Sequence, residues 1–174
     1  MKDVLKAIVR PDEFVEDITQ IDLAALARRG IKVLLIDINN TVVARAESVP
    51  SMRVLHWFSA LKQYPFRVGL LTNEMNPERV HSVASNLGVD VFFSVLKPLP
   101  FTVKHIVEKD FQVSMQQTAI IGDSIIGDVF VGNLLHAYTI LVKKVDKNID
   151  PNKVSMWGHA KAALLERFIH QQIK

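Results

Sequence analysis

Five side chains scattered along the chain carry groups that could do chemistry together: Asp37, Thr72, Lys97, Asp123 and Asp128. Singly, each has an ordinary explanation. An Asp after a strand commonly holds the N–H groups of a turn, a Thr caps or turns, and a Lys is a solvated charge. Asp123 could cap the helix that follows it, and Asp128 could sit on a helix surface. As a set they do more. Two carboxylates can share a hard divalent cation, and magnesium prefers oxygen ligands and keeps waters that a phosphate can replace. A cation there offsets carboxylate charge, so an anionic phosphate can approach Asp37. The Thr72 hydroxyl and the Lys97 ammonium would hold the phosphate oxygens while charge develops in transfer.

Such convergence needs a scaffold that carries distant segments to one edge, and the hydrophobic pattern supplies it. Residues 31–37 form an apolar, β-branched run that reads as a buried strand. Further strands are expected at residues 66–72, 89–93, 118–122 and 138–142. Between them the 3.6-residue period predicts helices. One covers residues 51–64, capped by Ser51, stopped by Pro65, with Val54, Leu55, Phe58 and Leu61 on its apolar face. The next opens at Asn76-Pro77, carries Val80, Val83, Ala84 and Leu87, and closes at Gly88. Others run over about residues 101–110 and from Asp123 to about His136. A charged, Pro-containing stretch, residues 143–152, leads to a C-terminal helix over about residues 153–174.

Strand–helix alternation with apolar strands means parallel pairing, right-handed crossovers and helices on both faces. The expected architecture is a three-layer α/β fold with a doubly wound parallel sheet. It forms one domain over residues 1–174, with the N-terminal segment 1–30 and the C-terminal helix packed on or flanking the core. Ligands bind such sheets at the carboxyl ends of the strands, where the strand order reverses. Asp37, Thr72 and Gly122-Asp123 all stand at such ends, and Lys97-Pro98 follows a few residues after another.

Composition narrows the function classes. With 174 residues, 49% of them hydrophobic, the chain can build a sizeable core and is not disordered as a whole. Its 21 Lys and Arg against 18 Asp and Glu leave a net charge of only +3, an ordinary surface rather than a nucleic-acid-binding one. The absence of Cys excludes disulfides, a thiolate metal site and a Cys nucleophile. No two of the six His lie at helical ligand spacing, which argues against zinc. No apolar run is long enough to cross a bilayer, and the N-terminus lacks a signal-peptide pattern, so a cytoplasmic protein is expected. Residues 162–174 combine Leu164, Leu165, Phe168 and Ile169 with Arg167 and Lys174. They could touch an anionic membrane peripherally, although their period favours packing on the sheet.

Taken in order, Asp37-Ile38-Asn39-Asn40-Thr41-Val42, Thr72-Asn73, Lys97-Pro98 and Gly122-Asp123 with Asp128 resemble the four motifs of haloacid dehalogenase-like (HAD-like) phosphatases. Residues 76–80 and 122–142 are similar to the class IIIA, YqeG-type subgroup, which is related to mitochondrial phosphatidylglycerophosphate phosphatases. The resemblance implies a HAD-like Rossmannoid fold with no large cap domain, and there is no room for one between Thr41 and Ser51 or between Phe93 and Lys97. It implies magnesium-dependent hydrolysis of a phosphate monoester, either a small phosphorylated molecule or a phospholipid phosphate such as phosphatidylglycerophosphate. Asp37 would be the nucleophile and form an aspartyl-phosphate. Thr72, Asn73 and Lys97 would bind the phosphate. Asp37, the main-chain carbonyl of Asn39, and Asp123 would hold the metal, and Asp128 would orient its waters or Lys97.

One position departs from that pattern. The family carries an Asp at the place of Asn39, where it protonates the leaving group and later activates water. An amide donates a hydrogen bond but cannot give up a proton. Losing a general acid typically costs about two to four powers of ten in rate. Three readings follow: a slow phosphatase suited to a substrate with a good leaving group, a phospholigand- or partner-binding module that has lost turnover, or an Asp-to-Asn change introduced by engineering. Leu134 and His136 stand where the subgroup usually has Arg and Gly, which weakens transfer of its lipid substrate. A receiver-type signalling domain fits worse, because it needs paired acids after its first strand, where only Asp37 stands.

Overall fold

The computed structural model describes residues 7–89, 92–94, 99–143 and 145. Six parallel strands form one sheet: β1 (Glu13–Val15), β2 (Val33–Asp37), β3 (Arg67–Thr72), β4 (Phe92–Ser94), β5 (Thr118–Gly122) and β6 (Tyr138–Val142). Their spatial order is β1-β6-β5-β2-β3-β4. From β2 the chain steps outward through β3 to β4, then returns to the other side of β2 for β5 and β6. The strand order therefore reverses at β2, which lies between β3 and β5. In register, Asp37 pairs with Leu71 of β3, and Ile36 with Ile121 of β5.

Every residue of β2 and of β5 is buried, which explains their unbroken apolar runs. Side chains alternate between two cores. Leu34 and Ile36 pack toward α1 (Leu23–Arg28), α2 (Met52–Leu61) and α3 (Pro77–Leu87) through Leu26, Trp57, Phe58, Val80 and Val83. Val33 and Leu35 pack on the opposite side with Val103 of α4 (Pro100–His105) and with Phe130 and Val131 of α5 (Phe130–Leu134). The three layers are those expected from the alternation of elements.

Local signals place the helix ends. The Ser51 hydroxyl accepts the Val54 N–H at 3.4 Å at the start of α2. The Asn76 side chain accepts the Arg79 N–H at 3.3 Å, and Pro77 takes the first position of α3, where its missing N–H costs nothing. Gly88 ends α3 at φ 65°, the left-handed position glycine tolerates best.

The structure differs from the sequence reading in three places. An edge strand, β1, pairs in parallel with β6 ahead of what the pattern gave as the first strand. It is three residues long, and its middle residue, Phe14, faces solvent, so no apolar run marks it. Both helices on the second face contain wider, π-type turns: Ile106–Asp110 after α4 and Ile125–Val129 before α5. The cap after β5 is Ser124, whose hydroxyl accepts the Gly127 N–H at 2.9 Å, rather than Asp123. Lys97 and the C-terminal helix over residues 153–174 lie outside the described residues. Among the described residues no helix is long and apolar enough to cross a membrane.

Candidate active site

Asp37 is the last residue of β2, Thr72 the last of β3, and Asp123 follows the last residue of β5. Because β3, β2 and β5 are neighbours, the topology sets these three residues along one edge of the sheet. Adjacent strands lie about 4.8 Å apart, so the three strand ends fall within reach of a single small ligand. Asp37 and Thr72 are buried, 8% and 1% exposed, although the ends of a sheet are normally wet. Asp123 and Asn39 are half-buried, and Asn73 is exposed.

The chain leaves β2 by a tight turn. Val42 N–H bonds to Ile38 O at 3.2 Å, and Asn40 N–H bonds to Val43 O at 2.8 Å. Asn40 adopts φ 61°, a left-handed conformation that Asn tolerates better than most residues. The Asn40 and Thr41 side-chain oxygens are buried with no hydrogen-bond partner among the described residues. Such orphaned groups carry a desolvation cost of about 1–3 kcal/mol and concentrate where a chain serves function.

The turn after β5 is built around Asp128. Its carboxylate, 2% exposed, accepts the Ser124 N–H at 3.1 Å. It lies against Gly122 so closely that a Cβ there would sit 2.2 Å from the Asp128 Cγ. Gly122 is thus required for the acid to reach under the turn, and Asp128 fixes the main chain on either side of Asp123. That bond is to main chain; Lys97, which the resemblance sets beside Asp128, lies outside the described residues.

A network the sequence reading did not assign joins the other two strand ends. The Thr72 hydroxyl accepts the Glu74 N–H at 2.9 Å. The Glu74 carboxylate receives Arg79 Nη1 at 3.1 Å and the main-chain N–H groups of Met75 and Asn76 at 2.9 and 3.1 Å. Arg79 Nη1 also donates to Asn39 Oδ1 at 2.8 Å, while its Nη2 and Nε donate to the carbonyls of Ala44 and Glu47 at 3.1 and 3.0 Å. One arginine side chain, 10% exposed, therefore ties the loop after β2 to the loop after β3. The signal available was a cation in the first turn of the helix following a site-bearing strand; two of its four partners are main-chain oxygens, which leave no trace in residue type.

Comparison with known proteins agrees with this geometry. The profile of the family described as mitochondrial PGP phosphatase matches residues 4–145. A protein of Bacillus subtilis (strain 168) named probable phosphatase YqeG is 30% identical over 142 residues, covering 82% of this chain and 81% of that protein. The chloroplastic/mitochondrial phosphatidylglycerophosphate phosphatase 1 of Arabidopsis thaliana is 24% identical over 177 residues. That match covers 97% of this chain but only 51% of the plant protein. Among solved structures, a protein from Porphyromonas gingivalis described as a predicted HAD-like family hydrolase shares the fold with a TM-score of 0.52 at 14% identity, covering 78% of this chain and 98% of that one. The parallel sheet, the three strand ends and the profile match converge on one assignment: the chain is a phosphatase of the mitochondrial PGP phosphatase family, with the fold of HAD-like hydrolases.

Proposed function

We propose that this phosphatase hydrolyses phosphate monoesters through an aspartyl-phosphate on Asp37, with magnesium as its metal. The observation behind this reading is the alignment of Asp37, Thr72 and Asp123 at the carboxyl ends of three adjacent strands, at the point where strand order reverses. The donors suit a hard cation. Asp37 and Asp123 offer carboxylates, and among the described residues no main-chain N–H is directed at the carbonyl of Asn39. No cluster of three or more acidic or imidazole side chains occurs among the described residues, so water would complete the coordination. When bound, the ion offsets the negative charge between the phosphate and the Asp37 carboxylate.

The protein groups then have separable tasks. An Asp37 oxygen attacks phosphorus, and the bond to the leaving oxygen breaks with its electron pair. The Thr72 hydroxyl, held by the Glu74 N–H, meets a phosphate oxygen. Asn73 and Lys97 assist in phosphate binding, as the family resemblance implies. Asp128 keeps the Asp123 turn in place. Water next attacks phosphorus, restoring the Asp37 carboxylate, and both protons of the water leave on the phosphate. Phosphatidylglycerophosphate, named in the plant relative, is the first substrate to try, and a lipid of that kind would bring the protein to a membrane surface. Residues 162–174, the segment suited to such contact, lie outside the described residues.

The test is phosphate release from phosphatidylglycerophosphate vesicles and from an aryl phosphate, with magnesium and with a chelator. Asp37→Ala should lower release by about four powers of ten or more, as loss of a nucleophile does. Chelation should stop release and added magnesium should restore it. Release that survives Asp37→Ala refutes the reading. Asn39 favours a second one, a module that binds a phospholigand without turnover. It expects magnesium plus a phosphate analogue to raise the Tm with no phosphate released from any substrate.

A further inference from the structure

Asn39 meets Arg79 in an orientation that chemistry dictates. A guanidinium has five donors and no acceptor. The Asn39 atom 2.8 Å from Arg79 Nη1 is therefore the amide oxygen, and the amide nitrogen is turned away from the arginine. Among the described residues no acceptor takes the two protons of that nitrogen. Arg79 itself cannot easily yield. It is 10% exposed, and three of its other four donors are held by Glu74, Ala44 and Glu47.

We infer that Arg79 is a positioning residue which locks Asn39 as a hydrogen-bond donor toward the leaving oxygen of the substrate. This rests on the function proposed above. Without a general acid, the leaving oxygen departs as an anion and takes its proton from solvent. The only help residue 39 can then offer is a donated hydrogen bond, which requires its nitrogen, not its oxygen, to face the ester. A freely rotating amide would present its oxygen part of the time and repel the developing negative charge. By occupying the oxygen, Arg79 removes that orientation. The assistance matters most for poor leaving groups, where most charge accumulates on the departing oxygen, and least for good ones.

The experiment measures kcat and KM with magnesium on a series of phosphates whose leaving groups run from acyl through nitrophenyl and phenyl to alkyl. It compares the unaltered protein with Arg79→Gln, Arg79→Lys, Asn39→Ala and the double variant Asn39→Ala/Arg79→Gln, recording the Tm of each. Arg79→Gln should lower kcat about tenfold on the poorest leaving group that turns over, the worth of one charge-assisted hydrogen bond. On the acyl phosphate the loss should be threefold or less, with KM nearly unchanged. Arg79→Lys should recover part of the lost rate. The double variant should be no slower than Asn39→Ala, because the arginine acts through that amide. A rate loss equal across all leaving groups, or losses that add in the double variant, would assign Arg79 to loop stability alone and overturn the inference. Absence of any turnover removable by Asp37→Ala would overturn the proposed function, and the inference with it.

Discussion

Two arginines bracket β3, one at each end of the sheet, and they are used differently. Arg67 opens the strand. Its Nη1 and Nη2 donate to the carbonyls of Phe111 and Asp110 at 2.6 and 2.9 Å, and its guanidinium lies 4.7 Å from the centre of the Phe111 ring. It closes the end of the helix that precedes β5 by satisfying carbonyls a helix C-terminus leaves unpaired. Arg79, beyond the other end, also takes two carbonyls, but it adds the Asn39 amide and the Glu74 carboxylate. The first seals structure to structure. The second joins structure to side chains beside Asp37 and Thr72. Buried polar residues are unevenly shared: Asp37, Asn40, Thr41, Thr72 and Asp128 sit at the carboxyl edge, while Thr118 and Thr139 lie near the amino ends of β5 and β6. Both buried carboxylates, the costliest of these groups, are at the carboxyl edge.

Substitutions at the two ends should therefore separate activity from stability. Apart from loss of Asp37 itself, the largest effect expected is at Asn39. Asn39→Asp restores a group that can carry a proton, and kcat on an alkyl phosphate should rise about a hundredfold or more. Steady-state assays between neutral and mildly acid pH should show the gain growing as pH falls, because the acid must be protonated and Arg79 favours its ionised form. An unchanged kcat would mean that the acid comes from elsewhere. Gly122→Ala should affect both properties: a methyl group 2.2 Å from the Asp128 carboxylate must displace it. About 1–3 kcal/mol of stability should go, as with other overpacked sites, together with most of the phosphate release. Chemical denaturation and the phosphate assay on one preparation would show whether the two losses travel together.

Arg67→Ala should lower stability by about 1–3 kcal/mol through two lost hydrogen bonds and the ring contact, while kcat/KM stays within twofold. A large fall in activity would erase the distinction between the two ends. The smallest effect belongs to Asp17, which lies past β1 outside the Arg79 network. Burial pushes its carboxyl up, but hydrogen bonds from the Thr19 hydroxyl and N–H, with Arg53 nearby, outweigh that and leave its pKa below the ordinary 3.8. A depressed folded pKa contributes stability at pH values above the ordinary one and loses it as pH falls through the folded value. The Tm difference between the unaltered protein and Asp17→Asn should thus be small at neutral pH and close as the solution is acidified below 3.8.

What could be read from the sequence follows from what leaves a mark in residue types. β5 and β6 appear where the pattern set them, because Ala119-Ile120-Ile121 and Thr139-Ile140-Leu141-Val142 are apolar runs. The caps of α2 and α3 were legible because Ser51 and Asn76-Pro77 are specific signals. β1 was not, since three residues, half-buried, exposed and buried in turn, are too few to show a period. The cap after β5 was left open because Asp123 and Ser124 are adjacent and both can cap; the side chain that bonds Gly127 decides it. Arg79 escaped because its significance lies in which loops fold back to meet it, and those contacts span more than thirty positions.

The way Arg79 grips residues 44 and 47 has a consequence for how this protein can change over time. It holds them by carbonyls, which every amino acid possesses. Mutations that merely swap one residue for another in that stretch leave the grip intact, so its composition is free to drift. Inserting or deleting a residue would carry both carbonyls out of reach. Descendants of this chain should therefore vary in spelling there far more readily than in length.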